Sequence, residues 1–157
     1  MPRIKTNRTK KAPKGFEKVQ PTLIEFEIQS KDVQENSTSK LATNANKNLW
    51  EIMRINHERS RYIYNLFYKR KAISRELYEW LLREKYCDKI LIAKWKRKGY
   101  EKLCCVRCIQ SNETANGSTC ICRVPRTQLE KQATSNGSQV TFHECVHCGC
   151  HGCASTD

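Results

Sequence analysis

The sequence predicts a mainly α fold: a small helical bundle followed by an irregular, cysteine-rich module with little strand. Three observations predict it. Apolar residues recur at threes and fours through the middle of the chain, the signature of one buried helix face. Nine of the ten cysteines fall between Cys104 and Cys153, in closely spaced sets. The segment that carries them is too polar to bury a core of its own, so ligation must supply its stability.

Residues 1–20 read as a basic arm. Arg3, Lys5, Arg8, Lys10 and Lys11 alternate with small polar residues and prolines, a pattern that fits a nuclear localisation signal and a phosphate-binding arm. A helical region follows over 21–102. Thr22 and Glu25 form a capping box just after Pro21, so a first helix is expected from there, fading near Glu35. The polar stretch at about 36–46 reads as a loop. The longest helical signal runs from about Asn48 to Arg70, with Leu49, Ile52, Met53, Ile63, Leu66 and Phe67 on one stripe. Ser74 is placed to cap RELYEWLLREKY, and Asp88 to cap KILIAKWKRK, which Gly99 would end. Residues 103–157 form the cysteine-rich module. It holds at most one short strand at Gln139 to Phe142 and a turn or two of helix between Pro125 and Ala133.

The net charge of +13 calls for a polyanionic partner, and its distribution says where. Residues 54–102 carry fifteen Lys/Arg against six Asp/Glu, whereas 21–53 carry three against five and 103–157 four against four. Lys69, Arg70, Lys71, Lys94, Lys96 and Arg97, interleaved with aromatics, are the residues expected to meet phosphate. Trp80 and Trp95 fall where a helix core needs them, so charge rather than base stacking carries this expectation.

Cys104, Cys105, Cys108, Cys120, Cys122, Cys145, Cys148, Cys150 and Cys153 have metal-ligand spacing, two to four residues apart. A disulfide framework is the competing reading. It needs an oxidising compartment, and the opening MPRIKTNRTKKAPKG has no apolar signal region. No run of apolar residues is long enough to span a membrane. Two separate four-cysteine zinc sites would orphan one thiolate. Three zinc ions fit all nine if three of the thiolates bridge, and the vicinal pair Cys104-Cys105 favours that cluster. Metallothioneins and the pre-SET region of histone methyltransferases use similar spacings. His143, His147 and His151 lie among the ligands and could replace thiolates; with nine sulfurs present they read as neighbours. Cys87 stands apart as a small buried hydrophobe.

No enzyme is expected. All-thiolate sites are closed, whereas a catalytic zinc keeps a position open for water. The chain lacks H-E-x-x-H, a phosphate-binding glycine loop, G-x-S-x-G and the deaminase signature. A RING-like ubiquitin ligase and a DNA-binding transcriptional regulator remain as alternatives; Cys120-Ile-Cys122-Arg-Val breaks the RING spacing.

The blocks YKRKAISRELYEW, LIAKWKRKGYEKLCCVRCIQ, CICRVP and CVHCGCHGCA, with MPRIK and GFEKVQPTL at the start, resemble the bud-site-selection protein thirty-one family, and a yeast member most. Two departures, Cys87 and the spacer from Lys131 to Gln139, leave the nine clustered cysteines untouched. The resemblance implies a small zinc-binding nuclear splicing factor that enters the spliceosome with Prp19-associated proteins and stays through catalysis. It further implies contact with small nuclear RNA in the U6 region, with pre-mRNA and with neighbouring subunits of a large ribonucleoprotein.

Overall fold

The computed structural model describes residues 11–39, 45–114, 117, 119–136 and 144–156. Its helices are α1 (Phe16–Ser39), α2 (Ala45–Tyr64), α3 (Arg75–Arg83), α4 (Lys89–Trp95) and α5 (Arg126–Asn136). A π-helical turn, Asn65–Lys69, continues α2, and three short 3-10 turns lie at Arg107–Ile109, Ser111–Glu113 and Ile121–Arg123. There is no strand among the described residues. The expected strand at Gln139 to Phe142 falls outside them, as do Arg3, Lys5, Arg8 and Lys10 of the basic arm.

α1 starts earlier than the capping box at Thr22 suggests. Gly15 takes a positive φ of 92°, and Phe16 begins the helix six residues ahead of Thr22. Phe16 and Val19 extend the Leu23 stripe backwards, and the Phe16 ring meets Trp80 edge-on at 5.0 Å. That burial outweighs the missing N–H of Pro21, which lies inside the helix. The helix also runs past Glu35 to Ser39, and Val33 within it is buried.

α1 and α2 pack antiparallel. Phe26 faces Tyr62 with ring centroids 6.4 Å apart, while Val33 and Ile55 line a cleft between the two helices. Of the stripe expected on α2, Ile63 and Leu66 are buried, but Leu49 is exposed and Met53 turns toward the cysteines. Ile55 and Ser60 take buried positions on this helix instead.

Both short helices use the caps read from sequence. The Ser74 hydroxyl accepts from the Leu77 N–H at 3.2 Å, and Asp88 accepts from the amides of Ile90 and Leu91. α4 nevertheless ends at Trp95, short of the expected stop. The Trp95 indole N–H donates to the Leu103 carbonyl at 2.8 Å, so the chain must turn back at once. Gly99, φ 86°, serves that turn rather than the helix end. Leu77, Leu81, Leu91, Ile92, Trp95 and Leu103 form the centre of the bundle.

Candidate metal centre and the basic face beside it

The second core of the molecule is made of sulfur. Cys105, Cys108, Cys120, Cys122, Cys145, Cys148 and Cys153 are buried together, with Cys104 and Cys150 packed against them. Three chain segments deliver them. Residues 104–108 follow directly from the fully buried Leu103, and 120–122 enter through a 3-10 turn. Residues 145–153 fold back on themselves: the Gly149 amide donates to the Cys145 carbonyl, and the Cys145 amide to that of Cys150. Gly149 and Gly152 both have positive φ, which lets so tight a segment reverse twice. The Cys153 amide then donates to the Cys122 carbonyl at 2.7 Å, tying the last segment to the middle one.

The sulfurs fall into three sets of four whose members lie within 4.8 Å of one another. One is Cys104, Cys105, Cys108 and Cys148; the second is Cys104, Cys122, Cys150 and Cys153; the third is Cys108, Cys120, Cys122 and Cys145. Each pair of sets shares one cysteine: Cys104, Cys108 or Cys122. The four-membered sets are therefore corners of one ring with three shared sulfurs, and a further group of three, Cys145, Cys148 and Cys150, takes one unshared sulfur from each of them.

Sulfur–sulfur edges support metal occupancy of these sets. They measure 3.9 Å for Cys104 to Cys122, 3.5 Å for Cys105 to Cys108, 3.7 Å for Cys108 to Cys145 and 3.6 Å for Cys120 to Cys145. A tetrahedron with metal–sulfur bonds of about 2.3 Å has edges of about 3.8 Å. No disulfide joins any of the ten cysteines. Packed this closely, the sulfurs set one another's protonation. Hydrogen bonding with Cys104 and Cys108 holds the Cys122 thiol well above its ordinary range, while hydrogen bonding with Cys104 and Cys105 pushes Cys148 well below it. Cations would replace the shared protons throughout.

His147 and His151 belong to none of the sets, and His143 lies outside the described residues. Cys87 lies in the helical core, where burial pushes its thiol up to about 12. His57 is partly buried against Trp95, and its pKa is lowered by desolvation and by the charge of Arg61.

Sequence reasoning missed two residues that fasten the sulfur core to the bundle. Arg123 donates to the carbonyls of Cys153 and Gly99, both at 2.6 Å, and its guanidinium lies 4.8 Å from the Tyr100 ring centroid. It also comes within 3.8 Å of the Cys153 sulfur, a cation placed beside a ligand set. Its position directly after Cys122 was the available signal. Trp50 of α2 donates its indole N–H to the Val146 carbonyl at 3.0 Å and lies flat against Gly149. Nothing local to Trp50 announces that role. Between this helix and the cysteines lies a cleft of about 760 Å³, walled by Trp50, Met53, His57, Lys102, Cys148 and His151.

The two basic blocks prove to be neighbours. Lys96 at the end of α4 reaches over the Tyr68 ring at 5.3 Å, next to Lys69, Arg70 and Lys71. Lys69, Arg70, Lys71, Lys96 and Arg97 are exposed; Lys94 is partly covered and lies 5.5 Å from the Tyr100 ring. None of the six enters an ion pair among the described residues. Lys71 has a positive φ of 51°, in the position after a helix end that glycine usually takes. Trp80 and Trp95 are buried, and Phe67 stacks on Tyr78 at 4.2 Å, so these rings serve the core.

A family model described as Pre-mRNA-splicing factor BUD31 matches residues 1–155. The chain belongs to that family. It is 69% identical to Pre-mRNA-splicing factor BUD31 of Saccharomyces cerevisiae over 157 residues, covering both proteins completely. It is 52% identical to Pre-mRNA-splicing factor cwf14 of Schizosaccharomyces pombe, again over the whole of both chains. Identity to the BUD31 homologue of Branchiostoma belcheri is 50% over 155 residues, 98% of this chain and 99% of that one. BUD31-family membership over the full length agrees with the resemblance read from the cysteine and basic blocks. Among the described residues no helix is long and apolar enough to cross a membrane.

Proposed function

We propose that this chain is a pre-mRNA splicing factor: a nuclear, non-catalytic structural subunit of the activated and catalytic spliceosome, entering with Prp19-associated proteins. Full-length membership in a family whose members are named as splicing factors carries this reading. The joined basic face of Lys69, Arg70, Lys71, Lys94, Lys96 and Arg97 supports contact with small nuclear RNA, in the U6 region, and with pre-mRNA. In the same proposal the sulfur core holds three zinc ions, bridged by Cys104, Cys108 and Cys122. The other six cysteines are terminal ligands, two to each ion. Zinc there would act as a cross-link, with every position filled by sulfur and none left for water.

Crosslinking within purified splicing complexes, followed by sequencing, tests the assignment. Adducts from the two basic blocks to small nuclear RNA are expected. Adducts confined to DNA, or none to RNA, would overturn it. A RING-like ligase is disfavoured because it needs two ligand sets with no shared member, whereas each set here shares two.

A further inference from the structure

The outer face of α1 is unlike the rest of this basic protein. Ile24 and Ile28 lie one helical turn apart and are 44% and 52% exposed. Pro21 is exposed three residues before them, so the three make an apolar stripe pointing away from α2. Exposed charges flank it, acidic at Glu17 before the stripe, Glu25 beside it and Asp32 one turn beyond, with Lys18 and Lys31 interspersed. None of these three carboxylates enters an ion pair among the described residues.

The acidic character continues into a cleft of about 420 Å³ between α1 and α2, lined by Asp32, Val33, Glu51, Arg54, Ile55 and Glu58. Among the described residues Arg54 is the single cation lining it, paired loosely with Glu51 at 3.7 Å and Glu58 at 3.9 Å. The cleft has an apolar floor of Val33 and Ile55 and an acidic rim. An arginine or lysine stem could lie on that floor with its charged head among the carboxylates. A phosphate backbone would meet repulsion here, in contrast to the face carrying Lys69 to Lys71.

We propose that the outer face of α1 and the adjoining cleft form a docking surface for a basic amphipathic segment of another protein. Two apolar side chains of that segment cover Ile24 and Ile28, and a cation enters the cleft beside Asp32. Opposite charge fixes the register, and the isoleucines exclude water. The surface is separate from the proposed RNA contact, so either assignment can fail alone.

The test places a photo-crosslinking residue at position 28 of the full-length chain, purified from cells in its native complex. The expected adduct is with a peptide of another protein carrying net positive charge. The charge-reversed variant E25K/D32K should lower the adduct yield about tenfold, while RNA crosslinks from Lys69 to Lys71 persist. Since a charge change could disturb α1, I24Q with a crosslinker kept at 28 gives a second, milder loss, read against an unchanged helical dichroism. An adduct to RNA, to an acidic segment or to a second copy of this chain overturns the proposal. So does the absence of any adduct, or an adduct indifferent to both variants.

Discussion

Two cores sit side by side in this molecule, one of carbon and one of sulfur. Leu103 and Cys108 are five residues apart and both fully buried, yet different physics buries them. Around Leu103 the interior is leucine, isoleucine and tryptophan, brought together by helices whose backbone groups satisfy one another. Around Cys108 the buried residues are all cysteines, and the backbone is turns joined by a few hydrogen bonds between segments. The first core pays for its order with apolar area. The second has almost none to offer, and under the zinc proposal its free energy of folding is largely its free energy of binding cations. Under that proposal a short polar segment can be as buried as a helix bundle, on condition that the metal is present.

The largest expected effect separates shared from unshared sulfur. Cys122→Ser should weaken two ligand sets and lower the bound zinc by about two ions in native mass spectrometry, whereas Cys150→Ser should lower it by about one. Structural zinc sites are worth roughly 10–16 kcal/mol in small peptides, so residues 104–153 should lose their order in the Cys122 variant. If the helical dichroism melts with them, the two cores are one cooperative unit.

Next in size is the seam between the cores. A Cβ on Gly149 would come within 2.9 Å of two ring atoms of Trp50, in a backbone with φ 67°. Gly149→Ala should cost about 2–3 kcal/mol in urea unfolding. In a Trp50→Ala background the two ring contacts disappear, and the Cβ of residue 50 at 3.1 Å and about 1 kcal/mol of backbone strain remain. A cost that does not change between backgrounds would show that Trp50 does not hold the seam.

Lys71 sets stability against binding on the carbon side. Replacing it by glycine relieves its positive φ and should raise stability by about 1 kcal/mol. The same change should weaken RNA binding and reduce the salt dependence of log K by about one. An equal gain in stability with unchanged binding would remove Lys71 from the RNA contact.

The smallest effect concerns the one cysteine in the carbon core. With its thiol pushed up to about 12 by burial, Cys87 should alkylate about a thousandfold more slowly at pH 8 than an exposed thiol. Its folded pKa is raised, so its contribution to stability is complete below the unfolded value near 9 and is lost as pH climbs from 9 toward 12. Cys87→Ala should flatten that part of the alkaline unfolding curve.

What was legible in the sequence was what is local. Ser74 and Asp88 cap their helices because an Ncap side chain needs only the next two or three amides. Counting ligands favoured three zinc ions with three bridging thiolates over two isolated sites. Which three would bridge was not legible, because Cys104, Cys108 and Cys122 become shared only when three distant segments meet. The start of α1 was hidden for a similar reason: Pro21-Thr22 imitates a helix beginning, and only the contact of Phe16 with Trp80 reveals the earlier one. Arg123 and Trp50 join elements whose approach no periodicity describes.

The ring of sulfurs also imposes an order in time. Each of the three sets draws at least one member from the segment 145–153: Cys148 in the first, Cys150 and Cys153 in the second, Cys145 in the third. During synthesis no set is complete until that segment has left the ribosome. The helices have by then emerged and can already be packed. The nascent chain therefore waits for residues 145–153 with the five thiols from Cys104 to Cys122 uncovered, and the whole centre closes in one late event.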